Sequence, residues 1–150
     1  MCKPDSNKFH GTEGDPDPLY YTKDNPKGQE LINEVKEKGF KISEDKILGI
    51  TRNPATNQVV WLEDSSLKAK AGFGHIQSRH LTDFILSGIG ADEIIDAIFT
   101  AITKGTITGY EHKSDPKHIR PVYEYIFNGE THSMAITISD NGYIVGANPK

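Results

Sequence analysis

Fourteen residues, KAKAGFGHIQSRHL from Lys68 to Leu81, hold two lysines, two histidines and an arginine, and no acid. Histidine is the side chain whose ordinary pKa lies nearest neutrality, so one ring can accept a proton while another donates one. Arginine adds a planar, permanently charged donor suited to phosphate oxygens. Together these groups fit the cleavage of RNA. That reaction needs a base for the 2'-hydroxyl proton, an acid for the departing 5'-oxygen, and cations for the charge developing on the phosphate. Lys68 and Lys70 are then expected to steer the backbone into place, and Gly72 and Gly74 to let it come close.

Spacing limits how these side chains can cooperate. On a helix His75 and Arg79, four apart, share a face, whereas His80 lies about 140° round from His75. Two arrangements are open. Either the helix begins near His75, leaving that ring at an N-terminus where anions are favoured, or His80 is a structural partner. Other chemistries fit less well. The histidines are five apart with no glutamate between them, unlike the HExxH pattern of zinc hydrolases. Gly72 and Gly74 alone do not make a glycine-rich phosphate loop. Cys2 is the only cysteine, which excludes an internal disulfide and a multi-cysteine metal site. No metal and no cofactor are expected. Outside the stretch, His118 beside Arg120 is the one other histidine kept as a candidate.

The elements that must hold this stretch follow from length and pattern. A chain of 150 residues, 35% hydrophobic and 25% charged, suits one globular domain. Its net charge of -4 argues against a general nucleic-acid coat protein, which relies on many neutralised phosphates. No apolar run approaches the roughly 20 residues that cross a bilayer. The start, MCKPDSNKFHG, lacks the apolar core of a signal peptide, so any export is expected to come from a larger protein of which this is a piece.

Residues 1–25 are dense in Pro, Gly, Asp and Asn and read as an irregular lead-in, at most loosely packed on a domain spanning 26–150. Leu31, Ile32 and Val35, closed by Gly39, predict a short amphipathic helix. ILGITRNPATNQVVWL predicts a hairpin with strands Ile47–Thr51 and Gln58–Leu62. Helical spacing returns at Ile76, Leu81, Phe84 and Ile85, then at Ile94, Ile95, Ile98, Phe99 and Ile102. After Gly105 four strand-like segments follow, with hairpin signals at Asn128-Gly129 and Asn141-Gly142. The expected fold is α+β, with N-terminal helices packed on a C-terminal antiparallel meander of about four strands. In the third of these strands His132, Met134, Ile136 and Ile138 alternate with Thr131, Ser133, Ala135, Thr137 and Ser139. The apolar face should meet the helices and leave the hydroxyl face open. Tyr123, Tyr125 and Phe127 share one face of the strand before it, either as surfaces for base stacking, Tyr123 foremost, or as core.

GHIQSRH at the end of the helical half, RPVYEYIFNG on a strand and the closing NGYIVGANP resemble the toxin nuclease domains of the barnase, EndoU, colicin and RelE group. More narrowly, residues 26–150 resemble the C-terminal toxin domains of bacterial contact-dependent inhibition and polymorphic toxin proteins. The resemblance implies a metal-independent ribonuclease that leaves a 2',3'-cyclic phosphate, with His75, Arg79, His80, Arg120 and Thr137 in catalytic roles. Many of the group attack tRNA, some with elongation factor Tu. A cognate immunity protein, export as the end of a larger surface protein and delivery to a target cell's cytoplasm are implied in the same way. Many of the group end on a Thr-aromatic pair where this chain has Gly146 and Ala147, so no catalytic role is carried onto the last strand. Two other readings compete: a nucleic-acid or protein-binding module in which the same groups bind without cutting, and a different small enzyme or structural domain whose histidines cap a helix.

Overall fold

The computed structural model describes residues 18–111 and 118–150, with residues 118 and 119 described by backbone alone. The first helix, α1, spans Pro26–Glu37. Asn25 caps it by accepting from the Lys27 N–H at 2.8 Å, and Pro26 opens it where a missing N–H costs nothing. Its buried stripe of Leu31, Ile32 and Val35 lies on a hairpin of strands β1 (Ile47–Arg52) and β2 (Val59–Glu63), forming a small core with Ile47, Ile50, Val59 and Trp61.

Two further helices follow, α2 over Phe73–Leu86 and α3 over Ile94–Lys104. On α3 the residues Ile94, Ile98, Phe99 and Ile102 are all buried, joined by Ala97 and Ala101. The C-terminal third is an antiparallel sheet of five strands: β3 (Thr106–Tyr110), β4 (His118–Ile119), β5 (Pro121–Phe127), β6 (Glu130–Ser139) and β7 (Ile144–Pro149). The meander runs β3-β5-β6-β7. The extra strand β4 is a two-residue extension that pairs with β6 just beyond the start of β5. The fold is α+β. Helix α3 packs on β5 and α2 on β7, and the main core joins both helices to Met134, Ile136, Ile138, Ile144 and Ala147.

Alternation along β6 sorts its faces as expected. Met134, Ile136 and Ile138 are buried, Thr131 is exposed, and Ser133, Thr137 and Ser139 are half-buried; Ala135, on the hydroxyl face, is small enough to be covered as well. The hairpin is tied to the sheet by the Trp61 N–H, which donates to Gly142 O at 3.0 Å, and by the edge-on contact of Trp61 with Tyr143.

The lead-in is less loose than its composition suggests. Leu19 and Tyr20 are each only 6% exposed, and both belong to the main core. Tyr20 stacks on Phe99 at 4.7 Å and donates its hydroxyl to Asp96 at 2.8 Å. Tyr21 bridges to Ile50 through two backbone hydrogen bonds. The packed domain therefore begins before Pro26, because a polar stretch still carries Leu19 and Tyr20, which the core has room to bury.

Candidate functional site

The start of α2 decides where the histidines point. Phe73 is its first residue, so His75 sits in the first turn. The turn is built on two glycines, for a reason other than ligand access. Gly72 has a φ of +84°, and a Cβ there would meet Ser65 Oγ at 2.9 Å and Glu63 O at 3.0 Å; at Gly74 a Cβ would lie 2.2 Å from the carbonyl oxygens of Ser65 and Ser66. The close approach these glycines permit is that of the chain's own 65–66 segment. Ser65 Oγ also accepts from the Gly74 N–H at 2.8 Å, so one N–H donor of the helix's first turn is already engaged by the chain itself. The expectation of a ligand lying against Gly72 and Gly74 is corrected accordingly.

The sheet supplies the facing wall. Ile119 pairs with Ile138 and Val122 with Ala135, so Arg120, at the junction of β4 and β5, falls opposite Thr137. Its Nε donates to Thr137 Oγ1 at 2.7 Å. On the other side of β6, Thr137 pairs with Gly146 of β7. A Cβ at Gly146 would lie 3.6 Å from His75 Cδ2 and 3.9 Å from Nε2, so the imidazole sits directly over the bare backbone. One row thus crosses the sheet from Arg120 through Thr137 and Gly146 to His75.

A cleft of about 310 Å³ lies along this row, lined by His75, Arg79, His80, Arg120 and Thr137 together with Ala135, Gly146, Ala147 and Asn148. The five residues expected in catalytic roles meet here, although they come from a helix and from the sheet forty or more positions away. Both histidines reach the same cleft, so their 140° separation does not force a choice between them. Arg79 is exposed and makes no ion pair among the described residues, and among them the Arg120 guanidinium commits only Nε. No carboxylate lines the cleft among the described residues. Two guanidinium groups without carboxylate partners among the described residues, facing one polar hollow, make a binding place for an anion.

The substrate-binding expectations divide. Lys68 and Lys70 are exposed on the loop before α2 and do not line the cleft. Tyr123 is 1% exposed within the main core, alongside Tyr125 and Phe127, and its phenol is pushed upward in pKa by burial. A ring with no open face cannot stack on a base, so the stacking role for Tyr123 is withdrawn. The side chain of His118 lies outside the described residues. Among the described residues no group of three or more His, Cys, Asp or Glu is placed to hold a metal, and no helix is long and apolar enough to cross a membrane.

Asn148 and Asp83 were not anticipated. Asn148 lines the cleft one pleat along from Gly146, a position that the alternation of the last strand places on the Thr137 face. Asp83 Oδ2 lies 3.0 Å from His80 Nδ1. Its signal in the sequence is an acid three residues after the histidine on one helix, a spacing that puts the two side chains on neighbouring positions. A second hollow of about 380 Å³, lined by Lys104, Thr106, Glu124, Tyr125, Ile126 and Thr131, is larger but has neither histidine nor arginine among its described lining residues. Compared with known proteins, the chain matches no family and no curated sequence.

Proposed function

We propose that this chain is a metal-independent endoribonuclease of the bacterial toxin class, acting on RNA in a competing cell's cytoplasm and neutralised by an immunity protein. The reading is supported by one observation above the others: two histidines and two arginines from separate elements converge on a single cleft that no carboxylate lines among the described residues. A phosphodiester placed there has a ring to take the 2'-hydroxyl proton, a ring to protonate the 5'-oxygen, and two guanidinium groups for the phosphorane oxygens. The charge requirement is met by Arg79 and Arg120, so the reaction has no step that calls for a metal. The acidic total charge limits indiscriminate affinity for RNA. It suits a selective cutter, with tRNA as the substrate that the toxin resemblance implies and elongation factor Tu as a candidate helper. Exposed Lys68 and Lys70, close in sequence to α2, add local positive charge for approach.

The test is purified protein with total RNA in EDTA. Discrete fragments ending in a 2',3'-cyclic phosphate are expected, together with growth arrest on expression that a cognate immunity protein relieves. His75→Ala and His80→Ala should each lower cleavage by roughly 10²- to 10⁴-fold, the usual contribution of a positioned proton-transfer group, with unchanged melting. Cleavage that requires a divalent cation overturns the mechanism; RNA bound but left intact favours a binding module.

A further inference from the structure

Resting on the ribonuclease reading, we infer that Asp83 is a positioning residue that holds His80 in its Nδ1–H tautomer, which makes His80 the proton acceptor of the cleft and His75 the proton donor. The two rings share the cleft but not the same surroundings. His80 Nδ1 lies 3.0 Å from Asp83 Oδ2, and the His80 side chain is 23% exposed while Asp83 is half open to solvent. A carboxylate only accepts, so the neutral imidazole beside it carries its single proton on Nδ1 and keeps the lone pair on Nε2. That lone pair is what a general base must present to a hydroxyl. Once the proton has been taken, the Asp83 carboxylate meets the positive charge of the imidazolium.

His75 has no such support. It makes no hydrogen bond or ion pair through its ring among the described residues; the ring lies over the Gly146 backbone and shares the cleft with Arg79 and Arg120. Without a partner its neutral ring has no fixed tautomer, so no lone pair is kept aimed at a substrate. Donation makes no such demand, because both nitrogens of an imidazolium carry protons. In the balanced step, the 2'-oxygen bonds to phosphorus as its proton passes to His80 Nε2. The bond from phosphorus to the 5'-oxygen breaks, and that oxygen takes a proton from His75. The products are a 2',3'-cyclic phosphate and a 5'-hydroxyl; His80 then returns its proton to water and His75 recovers one.

The experiment has two readouts on the same proteins. Ring-nitrogen NMR of the free protein reports the tautomer of His80, expected as Nδ1–H in the wild type and as a mixture or the Nε2–H form in Asp83→Ala. Cleavage kinetics should show Asp83→Ala losing roughly 10- to 100-fold in kcat with KM nearly unchanged, a smaller loss than removing the proton-transfer ring itself. Asp83→Glu should recover part of the loss. Asp83 is exposed enough that both variants should melt as the wild type. A wild-type His80 in the Nε2–H form, or an Asp83→Ala protein that cuts at the wild-type rate, overturns the inference alone. Wild-type protein that leaves RNA intact while showing the Nδ1–H form overturns the ribonuclease reading and the division of roles, but not the Asp83 contact.

Discussion

Gly146 offers a way to move His75 without touching it. The glycine lies in a strand, its φ is not in the left-handed region, and it pairs with Thr137 on the floor of the cleft. A single added carbon would rest 3.6 Å from the imidazole Cδ2, ordinary van der Waals contact. Gly146→Ala should therefore leave cleavage close to wild type, and it should raise stability by about 0.5–1 kcal/mol through the backbone entropy that glycine carries into a strand. Gly146→Val is different. Its methyl groups extend about 1.5 Å past Cβ, which pushes at the ring and displaces it by about 1 Å. Misplacement of a reacting group on that scale costs roughly 10²-fold in rate. The β-branched side chain is meanwhile well suited to a strand, so melting temperature should hold or rise. Single-turnover cleavage of RNA, with thermal melts on the same preparations, separates the two effects. A Gly146→Val protein that cuts as fast as the wild type would refute the idea that the ring over Gly146 is in reacting position. A variant that loses stability along with activity would show that β7 does not tolerate the substitution, and the alanine variant would then carry the comparison.

Arg120→Ala should cost about 2–4 kcal/mol of transition-state stabilisation, the value of a lost oxyanion donor, and Thr137→Val a smaller amount, since it only frees the Nε that Thr137 holds; parallel kinetics and melts check that folding is spared. A chain beginning at Pro26 should lose on the order of 3–6 kcal/mol of stability, because burying Leu19 and Tyr20 contributes about 1.5–3 kcal/mol each; urea unfolding against the full chain measures it. Tyr20→Phe, which removes one partner of buried Asp96, should cost about 1–3 kcal/mol by the same assay. Burial raises the pKa values of Tyr20, Tyr123 and Tyr125 above the ordinary tyrosine value of 10.0. The folded state thus holds these protons more tightly than the unfolded chain, and the stability they confer is complete below about pH 10 and lost as pH rises beyond it. Urea midpoints should fall above pH 10, with tyrosinate absorbance appearing together with unfolding; rings that ionise in the folded protein well before it melts would contradict the burial.

What the residues settle by themselves is local. The spacing of Leu31, Ile32 and Val35, the stripe on α3 and the Asn-Gly turns each express a helical or strand period that neighbouring residues enforce, and they were legible without any long-range contact. The alternation of β6 likewise separates Met134, Ile136 and Ile138 from Thr137. Alternation says which residues share a face, but not what covers it. Tyr123, Tyr125 and Phe127 lie on one side of β5, and only the packing of α3 decides that this side is core while Glu124 and Ile126 remain exposed. Gly72 and Gly74 advertise room, and only the folded chain shows that residues 65 and 66 fill it. The polarity of residues 18–25 hides Leu19 and Tyr20, whose burial depends on a gap beside Phe99 that no local pattern describes. The cleft is the clearest case. The sequence could nominate His75, Arg79, His80, Arg120 and Thr137 by type and resemblance, but the distances among them depend on how α2 is seated against β7 and on the register that sets Arg120 opposite Thr137. Both are set by core packing between segments far apart in the chain, so the meeting of those five side chains belongs to the tertiary structure.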